Sequence, residues 1–135
     1  MAGWAGRAAP SIEDFEALAA EAWRNLPENF RRLAGSVLIR VTDFPTHDVL
    51  RELGAESEFD LLGLFQGIGL AQDGATPQTG QMPNMVFLYR RPILDYWAEH
   101  EEALDRIVAH VLIHEIGHHF GLSDDDMEAI EVATA

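Results

Sequence analysis

The 135-residue chain carries 23 acidic residues against nine basic ones, a formal net charge of -14, with 47% apolar residues and no cysteine. Its length suits one domain with a single core. The charge disfavours nucleic acid and anionic membrane as partners, and without thiols any metal must be held by histidines and carboxylates.

No apolar run approaches the roughly 18 residues that a membrane-spanning helix needs. Residues 1–10 are rich in Ala and Gly with a single Arg7 and lack the apolar stretch of a signal peptide. They read as a flexible N-terminus before a domain at residues 11–135, and a cytoplasmic location is the expectation. A peptide or protein is the partner class that the acidic balance accommodates most easily, while the oligomeric state is not legible.

Ser11 followed by Asp14 has the spacing of a capping box, and Phe15, Leu18, Ala19, Ala22 and Leu26 follow at helical intervals up to Pro27. Residues 27–33 form one more short helical piece closed by Gly35. The β-branched content of residues 37–41 predicts a strand, expected to be buried. Pro45 and Thr46 open a short helix with Val49, Leu50 and Leu53 facing inward and Gly54 as its stop.

Residues 61–70 are apolar but interrupted by Gly63, Gly67 and Gly69, which suggests an edge strand with bulges or close backbone approach. The polar residues 71–83, with Gly74, Pro77 and Gly80, make a loop long enough to be functional. Residues 85–89 give a third strand, and Pro92 at a helix N1 position opens a pattern that must break near residues 98–101. A long helix then runs to Phe120, and residues 124–132 form a last, acidic helix.

The chemistry concentrates in that long helix. His114, Glu115 and His118 form H-E-x-x-H, followed by Gly121 and Asp124. At about 100° per residue, the two histidines lie about 40° apart, one turn above the other, so both imidazoles can reach one ion. Leu104, Ile107, Val108, Val111 and Leu112 form an apolar stripe, and Glu115 falls within it, where an unpaired carboxylate is costly to bury. Beside a metal-activated water it can serve as general base and acid.

Ile113, Ile116 and Phe120 make the opposite face apolar too, so the helix is expected to be buried. Gly117 costs such a helix about 1 kcal/mol relative to Ala, understandable if another backbone packs closely there. Gly121 ends the helix and turns the chain back, so that Asp124 can complete three protein ligands around one zinc ion. Ser123 and the run Asp124, Asp125, Asp126 would equally well cap and charge-match the last helix, and Asp125, Asp126 or Glu128 are substitutes for Asp124. His110 and His119 are read as bystanders, His110 alternatively as a second-layer partner. Arg90 and Arg91 are read as ordinary ion-pairing residues, and Tyr89 as a packed strand-end tyrosine.

These residues resemble the zincin-like metallopeptidases, in particular small bacterial single-domain Asp-zincins with H-E-x-x-H-x-x-G-x-x-D. Similar stretches include the helix around Phe15, L-L-G-L-F-Q-G at residues 61–67, F-L-Y-R-R-P at residues 87–92 and H-E-I-G-H-H-F-G-L at residues 114–122. The resemblance implies an α/β (α+β) minimal zincin-like fold, with a small mixed sheet of three or four strands over the active-site helix. It implies Zn2+ on His114, His118 and Asp124, with Glu115 as the catalytic residue, hydrolysing peptide bonds. The alternative is a non-catalytic zinc-binding or protein-interaction domain with a vestigial peptidase site.

Overall fold

A computed structural model of the chain describes residues 3–67 and 84–134. After a single 3-10 turn at Trp4–Gly6, helix α1 spans Ile12–Asn25. Its start is a reciprocal capping box: the Asp14 N–H donates to Ser11 Oγ at 3.1 Å and the Ser11 N–H to Asp14 Oδ2 at 2.8 Å. Helix α2 (Glu28–Ala34) ends at Gly35, whose φ of +72° suits glycine. Then come strand β1 (Val37–Thr42), helix α3 (His47–Leu53) and strand β2 (Gly63–Gln66). Strand β3 (Asn84–Tyr89) runs directly into α4 (Arg90–Glu99), and α5 (Leu104–His119) and α6 (Asp124–Thr134) close the described chain.

The three strands form one mixed sheet in the order β1-β3-β2, with β1 parallel and β2 antiparallel to the central β3. Helix α5 lies against β2 and β3, α1 against β1 and α5, and α6 against α5. Between these layers sits a core built on Phe15, Leu26, Val86, Leu88, Ile93, Val108, Leu112, Ile113 and Ile116. Ile107, Val108, Val111 and Leu112 on one side of α5 and Ile113 and Ile116 on the other are all buried. The expected burial of this helix is met on those two sides only, since a stripe through Arg106, His110 and His118 stays exposed and Phe120 is half-buried. The break before it is met as well, at residues 100–103 between α4 and α5.

Three expectations need correction. Strand β1 is an edge strand rather than a buried one: Val37, Ile39 and Val41 face the core while Leu38, 49% accessible, and Arg40 face outward. Helix α3 has the expected cap at Thr46 and left-handed stop at Gly54, yet it contributes no buried residue and Leu53 is 52% accessible. Pro92 stands third in α4 rather than first, within the opening turn whose N–H groups need no helical partner. Strand β2 is the edge strand expected of this stretch and pairs antiparallel with β3, though Gly69 and the loop expected at residues 71–83 lie outside the described residues.

Candidate functional site

Helix α5 carries His110, His114 and His118 at intervals of four, so each ring follows the last by about 40° around the axis. The rings accordingly meet in sequence. His110 stacks on His114 with centroids 3.9 Å apart, and His118 stands edge-on to His114 at 5.6 Å. His110 and His118 are exposed and His114 half-buried.

Glu115 points to the sheet side of the same helix. Its Cγ lies 3.5 Å from where a side chain on Gly63 of β2 would begin, an ordinary contact distance that places the strand directly over the carboxylate. Burial raises the Glu115 carboxyl above its ordinary pKa, while the neighbouring His118 imidazole and the Phe65 backbone N–H act in the opposite direction. The group is thus a partly desolvated base held between a helix imidazole and an edge-strand amide. Tyr89, at the end of β3, is buried; burial first and the Glu115 charge second push its phenol up to about 12, so it stays neutral.

Strand β2 is fastened to the end of α5 through aromatic contacts. Phe65 stacks on His119 with centroids 4.0 Å apart and meets Phe120 edge-on at 6.1 Å. Gly67 lies against the same His119 ring, 2.8 Å from a hypothetical Cβ. His119 is therefore a packing residue of the cleft edge. Arg90 is likewise structural, bonded to Asp43 at 2.9 Å and to the Pro10 carbonyl at 2.6 Å.

The turn out of α5 is a Schellman motif: the Leu122 N–H donates to the Gly117 carbonyl at 2.9 Å and the Gly121 N–H to that of His118 at 3.1 Å, with Gly121 at φ +76°. An alanine at 121 would have to adopt this left-handed conformation. Gly121→Ala is expected to cost about 1–2 kcal/mol, read as a fall in melting temperature of roughly 4–8 °C. The turn sends α6 back along α5, so that buried Met127 packs on Gly117, its Sδ 2.5 Å from a hypothetical Cβ there. The close packing expected at Gly117 exists, but with a methionine side chain instead of a backbone.

Ser123 and Asp126 cap α6 reciprocally, at 3.0 and 3.2 Å, which engages Asp126. Asp124, Asp125 and Glu128 are exposed. Seven residues beyond Asp124, and therefore on the same helical face, Glu131 places Oε1 2.8 Å from His110 Nδ1 and 3.0 Å from His114 Nε2. Among the described residues, His110, His114 and Glu131 are the ligand-type side chains whose atoms converge, all within 4.8 Å of one another. His114, Glu115 and His118 are thus together on α5 as their spacing implies, whereas Asp124 stands at the start of α6 and is not in that convergent group. Glu131 was not anticipated, although its spacing from Asp124 placed both carboxylates on one stripe. The imidazole and carboxylate donors presented by α5 and α6 are the set that zinc accepts.

Over residues 34–134 the sequence matches the family described as zincin-like metallopeptidase. The chain belongs to that family. Zinc binding is what this membership implies. No curated protein matches the chain. Among solved structures, a conserved hypothetical protein of T. thermophilus is 20% identical and superimposes with a TM-score of 0.52 over 82% of this chain and 94% of that one. That likeness concerns the fold, and the mixed sheet over the H-E-x-x-H helix is the minimal zincin-like arrangement.

Proposed function

We propose that the protein is a zinc-dependent metallopeptidase acting on peptides or proteins, with His114, His118 and Asp124 holding one zinc ion and Glu115 as general base and acid. The observation that carries this reading is Glu115: a carboxylate kept half-buried under a bare glycine of the edge strand, one residue from His114 and one turn from His118. Zinc, when bound, would polarise the peptide carbonyl and acidify water. Glu115 then takes the proton from the attacking water and delivers it to the leaving amine. Its raised pKa makes it a stronger base than an ordinary carboxylate, which suits that transfer.

The outer edge of β2, paired with no other strand among the described residues, suits a peptide lying extended beside it by strand addition. Asp124 enters the ligand set because Gly121 reverses the chain just before it and Asp126 is engaged by the cap. Zinc-loaded protein is expected to cleave members of an unbiased peptide library, and His118→Ala, a change at an exposed position, to remain folded and cleave none. Equal cleavage by the two proteins would refute the assignment.

A second reading is supported by Glu131, whose carboxylate already engages both His110 and His114. In that reading the chain is a non-catalytic zinc-binding domain in which metal holds α6 to α5. It expects chelation to lower the melting temperature sharply while no peptide is cleaved.

A further inference from the structure

We infer that His110, His114 and Glu131 form a second seat for a divalent transition-metal ion, adjoining the His114–His118 pair and sharing His114 with it. Three donor atoms from two helices meet here: His110 Nδ1, His114 Nε2 and Glu131 Oε1, all within 4.8 Å of one another. Bonds of about 2.0–2.1 Å in tetrahedral geometry keep ligand atoms about 3.4 Å apart. The 2.8 and 3.0 Å separations from Glu131 to the two rings are about half an ångström shorter than that value, so the carboxylate need only draw back slightly to admit an ion.

The side chains of His110, His114 and Glu131 are 49%, 24% and 33% accessible, so water can complete the coordination and an ion can enter without local unfolding. Glu131 also lines a 590 Å³ cleft between α1, α5 and α6, which keeps its carboxylate open to solvent. Two imidazoles and one carboxylate favour zinc, cobalt, nickel or copper over magnesium or calcium.

In the absence of metal, His114 carries a proton on Nε2 to donate to Oε1, and an ion takes the place of that proton while also reaching His110 Nδ1. Occupation would tie α6 to α5 through three side chains. It would also take His114 Nε2 away from His118, since one imidazole nitrogen serves one ion. The two seats are therefore alternatives, and excess metal inhibits if the His114–His118 pair is catalytic. The seat itself needs neither Glu115 nor hydrolysis.

Cobalt(II) is the probe, followed by its visible absorption and by calorimetric titration of the metal-free protein. His118→Ala breaks the peptidase-type pair and leaves the second seat complete. This variant is expected to bind one cobalt per chain and to melt at a higher temperature when loaded. Adding Glu131→Gln, or separately His110→Ala, should then weaken binding by at least about 100-fold, more than loss of a mere outer hydrogen-bond partner costs. Circular dichroism of each metal-free variant checks that its fold is retained.

The inference is overturned if His118→Ala binds no cobalt, or if both added substitutions weaken binding by less than that factor. Glu131→Gln alone leaves only the His114–His118 pair intact and so reports separately on the metal set of the proposed peptidase.

Discussion

Glu115→Gln is expected to lower kcat/KM for any cleaved peptide by about 10²–10⁴-fold, while zinc content and fold stay those of the parent. In free-energy terms this is roughly 3–5 kcal/mol of transition-state stabilisation. Glutamine keeps the volume beneath Gly63 and can still meet the Phe65 amide through its carbonyl oxygen, but it has no basic oxygen to receive a proton. Kinetics and elemental analysis on the same preparations make the check, and unchanged turnover with full metal content would remove Glu115 from the chemistry.

A second readout of the same variant follows from the direction of the Glu115 shift. Its folded pKa lies above the ordinary value of 4.5 because of burial, so the unfolded chain gives up this proton more readily than the folded one. Its stabilising contribution is complete below the unfolded pKa and is lost as pH rises through the folded pKa. The metal-free parent therefore loses stability from this group as pH rises through its raised folded pKa, and the variant does not. Melting temperatures of the two metal-free proteins should diverge in the variant's favour as pH rises above the ordinary value of 4.5. A constant gap would show that the carboxylate is not desolvated.

What could be read from the residues is what local geometry determines. The Ser11–Asp14 box, the stops at Gly35, Gly54 and Gly121 and the break between α4 and α5 depend on a few neighbouring residues, and each formed where its pattern stood. The one-turn spacing of His114 and His118 is equally local, and it brings their rings into edge-on contact. The exposure of β1 and α3 was not legible, because a run of Val, Leu and Ile looks alike at the centre and at the edge of a sheet until the strand order is known. Glu131 was overlooked for a related reason. Its meeting with His110 depends on how far back along α5 the second helix runs, which the Gly121 turn and the Met127–Gly117 contact determine together.

Gly63 gives the largest expected effect on stability outside the core side chains. A Cβ there would lie 2.7 Å from Val111 Cγ1 and 2.9 Å from the Phe87 carbonyl oxygen. Neither neighbour yields easily. Phe87 is on the central strand, held in register by the Gly63–Leu88 and Leu64–Phe87 pairs, and Val111 is a β-branched residue in the middle of a buried helix, where one χ1 rotamer is strongly preferred.

Gly63→Ala is therefore expected to destabilise the fold by about 1–3 kcal/mol through overpacking, with Gly63→Val at the upper end or beyond. At roughly 4 °C per kcal/mol, thermal denaturation should show a clear fall in melting temperature for both. The strain has only one direction in which to relax, the outward displacement of β2 from α5. Such a movement separates the Phe65 amide from Glu115 and loosens the Phe65–His119 stack. Hydrolysis by Gly63→Ala should consequently drop even at temperatures where the protein remains folded, and its zinc content should not, since His114, His118 and Asp124 belong to α5 and α6. A variant of parental stability would show that Val111 and the Phe87 carbonyl give way to a side chain there.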